Sequence, residues 1–205
     1  MSTSDLLSLS VRDFLAAVAD KTPTPGGGSV AGTVGALGVA LGEMSVNFTR
    51  GKKKFAQHEP FYQHVGARLT KARNMFMDLV ADDVAAYGFY AETAKLPDGP
   101  EKNEKMQLAL CASIDVPREM TKLSVAIMED LLSLADKCNP YLLSDLMAGA
   151  TLAAAAARLS DYNVRINVPQ LADKQAGKEV QESSARDLAR ANQLLADIEK
   201  ACGRE

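Results

Sequence analysis

Between Ser29 and Thr49 the only charged side chain is Glu43. A helix over this stretch is apolar nearly all round, and such a helix has to be buried. Its glycines, Gly32, Gly35, Gly38 and Gly42, recur every three or four residues. That spacing sets them on one helical face, where a second backbone can come close. Each glycine costs roughly 1 kcal/mol of helix propensity relative to alanine. Tight packing against another helix, of this chain or of a second subunit, must offset that cost. The segment therefore demands a helical fold wrapped around it.

The rest of the sequence supplies such helices and sustains no period-two strand pattern. Val11 to Ala19 reads as a short helix with Ser10 as N-cap, halted at Thr22-Pro23-Thr24-Pro25. Gly26-Gly27-Gly28 forms a turn, and Ser29 is expected to cap the apolar helix. From Phe61 to about Ala94 the residues Phe61, Val65, Leu69, Ala72, Phe76, Val80 and Tyr87 trace an apolar stripe. Pro97-Asp98-Gly99-Pro100 breaks the pattern. Glu101 to Ala135 is helical again, with Pro117 expected to kink or split it. Cys138-Asn139-Pro140 is the next break. Ser144 to Leu159 is an alanine-rich buried helix, Asn163 to Pro169 reads as extended or irregular, and Leu171 to Ala201 is amphipathic. The fold class expected is all-α: a helical bundle with long helices, one domain over residues 1–205.

Composition narrows the function. With 23 Lys and Arg against 26 Asp and Glu the net charge is −3, which gives no reason to expect a nucleic-acid partner. Cys111, Cys138 and Cys202 are far apart and odd in number, as suits a reducing, cytoplasmic setting. The start of the chain lacks the basic residues of a signal peptide. The apolar run Ser29 to Gly42 is shorter than the roughly 20 residues that cross a bilayer, so no membrane partner is expected. His58 and His64 lack metal-ligand spacing, and no metal is expected.

Five groups of residues could carry chemistry. Gly26, Gly27, Gly28 and Ser29 open a helix, where bare backbone can approach a ligand and unpaired N–H groups can meet an anion; a simple tight turn is the plainer alternative. Asp83 lies within the stripe Phe76, Val80, Tyr87, and Asp82 borders it beside Leu79 and Ala86. Burial raises a carboxyl's pKa and a cationic ligand lowers it again, which suits proton transfer or the holding of a cation. A structural Asp paired to an Arg such as Arg165 fits equally. Lys52, Lys53 and Lys54 form either a solvated helix end or a site for a carboxylate-bearing ligand. Ser144-Asp145 is explained as an N-cap with an acidic first turn. Alternation in an extended strip would point Asn163, Arg165 and Asn167 one way, with Val164 and Ile166 toward the core. Arg165 could then grip a carboxylate.

Taken in order, Thr24-Pro25-Gly26-Gly27-Gly28-Ser29, Gly51-Lys52-Lys53-Lys54, Asp82-Asp83-Val84-Ala85-Ala86-Tyr87, Asn139-Pro140 with Ser144-Asp145, and Asn163-Val164-Arg165-Ile166-Asn167 resemble the cyclodeaminase/cyclohydrolase family. That family includes the C-terminal domain of formiminotransferase-cyclodeaminase and stand-alone bacterial methenyltetrahydrofolate cyclohydrolases. The resemblance implies homodimeric packing and a tetrahydrofolate derivative, polyglutamylated or not, bound between helices with no other cofactor. It implies hydrolysis of 5,10-methenyltetrahydrofolate to 10-formyltetrahydrofolate, with Asp83 catalytic and Asp82 assisting. The substrate would be held by Gly26, Gly27, Gly28, Ser29, Lys52, Lys53, Lys54, Asp145, Asn163, Arg165 and Asn167. Val84 and Tyr87 stand where the family usually has Ala and Phe, and Ser160-Asp161-Tyr162 is more polar than the family norm. The related ammonia-releasing cyclodeaminase is the alternative; the sequence given has no formiminotransferase segment, which leads to the expectation of the hydrolase. A non-catalytic helical assembly protein is a further alternative. A carboxylate-bridged metal bundle lacks its Glu-x-x-His pairs.

Overall fold

A computed structural model describes residues 6–203. Six α-helices follow one another: α1 (Val11–Ala19), α2 (Gly27–Asn47), α3 (Glu59–Ala94), α4 (Pro100–Leu134), α5 (Leu143–Asn167) and α6 (Lys174–Cys202). No strand occurs among the described residues. The all-α expectation holds. Helix α1 has the predicted bounds and its Ser10 cap, whose side chain accepts from the Asp13 N–H.

Helices α2, α3, α4 and α5 form an up-and-down four-helix arrangement. Each packs on the next, α5 closes against α2, and α6 covers α4 and α5. Short connections pin the ends. Beyond α2, Thr49 Oγ1 accepts from the Asn139 N–H at 2.9 Å, and Asn139 Nδ2 donates to the Phe48 carbonyl. The Tyr62 hydroxyl, in the first turns of α3, donates to the Lys137 carbonyl at 2.8 Å. One end of the bundle thus gathers the end of α2 and the starts of α3 and α5. The other end gathers the start of α2, the last turns of α3 and the end of α5. The core is aliphatic with few rings: Tyr62, Leu69, Phe76, Met120, Ile127, Leu131, Leu146 and Leu194 are among its fully buried members.

Pro117 neither splits nor ends α4, which continues through it for 35 residues. Helix α2 has the length expected for Ser29 to Thr49, set two residues earlier, at Gly27–Asn47. Both it and the segment Pro140–Gln170 are long and apolar enough to cross a membrane by composition, although half of α2 is buried inside the chain.

The glycines of α2 do not share one neighbour, as their spacing had suggested. Gly32 and Gly35 meet Val80 and Phe76 of α3, Gly42 meets Leu131 of α4, and Gly38 meets Gly149 of α5. The difference follows from α2 being central: a helix surrounded on several sides needs small residues on each. At the α2–α5 crossing, a Cβ on Gly38 would lie 2.8 Å from the Gly149 carbonyl oxygen, and one on Gly149 equally close to that of Gly38. Neither backbone can rotate away. Gly38→Ala is therefore expected to destabilise the fold by about 1–3 kcal/mol despite alanine's better helix propensity. Gly88→Ala, with open space around the new Cβ, should be neutral or stabilise by up to ~1 kcal/mol. Urea denaturation of the pair checks this, and equal effects would refute close packing at the crossing.

Candidate functional site

The chain enters α2 through a cis Thr24–Pro25 peptide and a buried Pro25. Gly26, in an extended conformation, is the N-cap, and the helix begins at Gly27. Ser29 is therefore not the cap that the sequence suggested. It sits in the first turn, fully buried, and its hydroxyl donates to Asp83 Oδ2 at 2.8 Å. Its backbone N–H also serves Asp83. A carboxylate held at a helix N-terminus faces unpaired N–H groups and the positive end of the helix dipole. Gly28 is what allows this contact: a Cβ there would collide with the carboxylate, 2.5 Å from its Cγ.

Asp83 reaches this position because Phe76 and Val80, on the same face of α3, are buried beneath it. Burial pushes its carboxyl pKa up, and the two hydrogen bonds from Ser29 pull it partly back. The group thus holds a proton more readily than an exposed aspartate. One turn further Tyr87 follows, then Tyr90. Together with Ser113 and Val116 of α4 and Asn163 and Asn167 of α5, they line an open cleft of about 220 Å³. That volume is below the roughly 300–1,000 Å³ of pockets that enclose a drug-sized ligand. It suits a flat ring system whose remainder lies outside.

Asn163 and Asn167 are brought to the cleft, though not as a strip of extended chain. Helix α5 runs on to Asn167, so the two lie one turn apart on one face. Asn163 Nδ2 donates to the Leu159 carbonyl at 2.9 Å, and Asn167 Nδ2 to the Asn163 carbonyl at 3.0 Å. Their amide oxygens remain as acceptors on the wall. Asn163 also abuts Gly27, whose Cβ would touch its side-chain amide at ordinary contact distance. Helical geometry turns Arg165 away: its Nε lies 2.6 Å from Asp161 Oδ2. Asp161 is buried and accepts from the Ser184 hydroxyl of α6. Asp161 therefore ties α5 to α6 through Ser184, Arg165 is held against Asp161 on its own helix, and neither lines the cleft. Val164 is buried as expected, whereas Ile166 is 70% exposed.

Three other expectations are corrected. Asp82 is exposed and faces a separate groove with Met75, Asp78 and Lys122. Successive helical residues point about 100° apart, so only one of the two acids can enter the cleft. Lys52, Lys53 and Lys54 are exposed on a short 3-10 turn beyond the end of α2. Helix α2 has 21 residues, so these lysines lie ~30 Å from its glycine-rich start. Asp145 sits in the first turn of α5, at the lysine end as well. Within one chain the cleft is lined by Asp83, Asn163 and Asn167; of the expected substrate-holding residues Gly28 and Ser29 are buried behind Asp83 and do not line it, and the lysines, Arg165, Asp82 and Asp145 lie elsewhere. Sequence reasoning missed Tyr90, Ser113 and Gln170 as lining residues; only their register with Asp83 or Asn163 hints at them.

A family model described as formiminotransferase-cyclodeaminase matches residues 10–186. The formimidoyltransferase-cyclodeaminase of Gallus gallus is 33% identical over 196 residues, covering 91% of this chain and 36% of that protein. The methenyltetrahydrofolate cyclohydrolase of Methylorubrum extorquens is 30% identical over 174 residues, covering 82% of this chain and 84% of that protein. This chain spans about a third of the formimidoyltransferase-cyclodeaminases that it matches. The crystal structure of formiminotetrahydrofolate cyclodeaminase from Thermotoga maritima superposes with a TM-score of 0.88 at 30% identity, covering 96% of each chain.

Proposed function

Since this chain belongs to the formiminotransferase-cyclodeaminase family, we propose that it is an enzyme of folate one-carbon chemistry, hydrolysing 5,10-methenyltetrahydrofolate to 10-formyltetrahydrofolate. The observation that carries this reading is the half-buried Asp83 carboxyl, held at the start of α2 and open to a cleft with amide and hydroxyl groups. The methenyl bridge is an amidinium cation. An ionised carboxylate beside it stabilises the cation and accepts a proton in a partly water-excluded site. The Methylorubrum extorquens cyclohydrolase is matched over 84% of its own length, against 36% for the Gallus gallus formimidoyltransferase-cyclodeaminase.

The steps balance as follows. Water attacks the bridge carbon and passes one proton to Asp83, giving a neutral tetrahedral carbinolamine. Asp83 returns that proton to N5 as the bond from N5 to the bridge carbon breaks. The hydroxyl collapses to the formyl carbonyl on N10 and its proton leaves to solvent. Cation and water thus become neutral product and one proton. Asn163 and Asn167 offer acceptors to the N–H groups of the pterin ring. Tyr87 and Tyr90 offer ring faces for stacking.

The ammonia-releasing cyclodeaminase is the second reading, favoured by the end-to-end match to the Thermotoga maritima structure. It needs the same carboxylate and bridge carbon. Ammonia release from 5-formiminotetrahydrofolate would select it. A cytoplasmic setting suits three cysteines of which none forms a disulfide among the described residues.

Asp83 must be ionised to accept the proton, and in the free enzyme its pKa is raised above the ordinary 3.8. The acid limb of kcat/KM is therefore expected above that value, with activity lost as pH falls. A bound cation favours the ionised form, so the limb in kcat should lie at lower pH than the limb in kcat/KM. Coincident limbs, or limbs in the opposite order, would count against Asp83 as the base.

A further inference from the structure

The cleft wall formed by α4, α5 and the turn after α5 has its hydrogen-bond donors turned away from the ligand space. Ser113, Asn163, Asn167 and Gln170 all line the cleft. The Ser113 hydroxyl donates to the Ala109 carbonyl at 2.9 Å. Asn167 Nδ2 donates twice, to the Asn163 carbonyl at 3.0 Å and to the Ser113 carbonyl at 3.4 Å. Asn163 Nδ2 donates to the Leu159 carbonyl at 2.9 Å, and Gln170 Nε2 to the Ile166 carbonyl at 3.3 Å. Every partner is a carbonyl oxygen, so in each amide it is the NH2 that is bound. A serine hydroxyl has one donor hydrogen and an amide has two. Ser113 and Asn167 have therefore spent theirs and can only accept. Asn163 and Gln170 each keep an amide oxygen for the cleft.

This orientation is held from several sides. Helix α5 ends at Asn167, which leaves the Ile166 carbonyl without a helical partner until Gln170 supplies one. Gln107 of α4 clamps the turn itself: its Nε2 donates to the Gln170 carbonyl at 3.4 Å, and its Oε1 accepts from the Ala172 N–H at 2.8 Å. Val164, Val168 and Leu171 pack with Leu110 and Ile114 into a small core of their own, against which Tyr90 of the cleft also packs. A wall of fixed acceptors favours a ring edge rich in N–H groups and opposes one that presents lone pairs. On the proposed folate substrate, on which this inference rests, the reduced pterin carries N–H groups at N3 and N8 and an amino group at C2. In fully oxidised folic acid N8 has no hydrogen and presents a lone pair. We propose that Asn167, with Gln170 beside it, is a specificity residue that selects reduced folates by accepting from the pterin N8–H. An oxidised ring sets lone pair against lone pair, and neither Ser113 nor Asn167 has a hydrogen left to offer it.

Calorimetric titration of the wild-type chain with 7,8-dihydrofolate and with folic acid tests this without reference to turnover. The two ligands share the glutamate tail and the amino-oxo edge of the ring, and only dihydrofolate carries a hydrogen on N8. Folic acid is expected to bind at least ~10-fold more weakly, because an acceptor left facing an acceptor loses its hydrogen bond in a partly desolvated site. Equal affinities, or tighter binding of folic acid, would overturn the proposal. Asn167→Ala should weaken dihydrofolate and bring the ratio of the two dissociation constants toward one. A merely structural role would weaken both ligands by the same factor and leave the ratio unchanged, and that result would also overturn it. Gln170→Ala, at an exposed position past the helix, is read in the same way should Asn167→Ala fail to fold: a smaller ratio supports the proposal and an unchanged one overturns it. Selective binding of dihydrofolate by a chain that leaves 5,10-methenyltetrahydrofolate untouched would defeat the proposed function and keep the selectivity. A hydrolase that binds folic acid as tightly as dihydrofolate would do the reverse. Binding of neither ligand overturns the selectivity whatever the activity.

Discussion

Asp83→Asn is expected to lower turnover of 5,10-methenyltetrahydrofolate by at least ~10²-fold, the contribution of a positioned proton-transfer group. The fold should survive. Asparagine fills the same volume, and its carbonyl oxygen can still accept from the Ser29 hydroxyl that now serves Oδ2. Stability is expected to hold or rise at neutral pH, and the sign can be worked out. The folded-state pKa of Asp83 is raised, so the folded chain keeps its proton to higher pH than the unfolded chain. Stability then falls as pH rises from the unfolded to the folded value, and stays lower above it. Asparagine carries no such penalty. Loss of activity with an unchanged or higher Tm separates a catalytic role from a structural one. A variant with near-normal turnover, or one that unfolds, would contradict it.

Gly28→Ala should do comparable damage from the other side of the same contact. Alanine is the better helix former by about 1 kcal/mol, and α2 should form. Its Cβ, however, would occupy the space of the Asp83 carboxylate. Either the acid or the first turn of α2 has to move, and a displacement near 1 Å can cost ~10²-fold in rate. Gly27→Ala is the matched comparison, because its Cβ meets Asn163 at 3.7 Å, an ordinary contact. Measured kcat values should show a large loss at Gly28 and a small one at Gly27. Equal losses would mean that flexibility of the glycine turn, and not close approach to Asp83, is what matters there.

Much of this arrangement is legible in the sequence where periodicity is strong. The stripe from Val65 to Val80 announces α3 and carries Asp83 onto a buried face. The stretch after Ser29, charged only at Glu43, announces a central helix. Sequence order was a poorer guide to which motifs meet. Lys52 to Lys54 and Asp145 form part of the family pattern, yet the up-and-down topology places them at the opposite end of the bundle from Gly28. Connections such as Asn139 to Thr49 explain why residues at that end recur in the pattern. They hold α2, α4 and α5 together. Asn163 to Asn167 misled because Val164 and Ile166 alternate with polar residues, the mark of a strand. One continuous helix satisfies the segment differently, burying Val164, exposing Ile166, and leaving Asn163 and Asn167 in register. Asp82 and Asp83 could not be separated by composition, since two adjacent acids differ only in the helical phase at which each meets its neighbours.

The most direct test follows the absorbance of 5,10-methenyltetrahydrofolate on addition of the purified wild-type chain. The expected result is loss of the methenyl band far faster than in buffer, with 10-formyltetrahydrofolate as product. A rate equal to that of buffer alone would contradict the reading of the Asp83 cleft as a cyclohydrolase site.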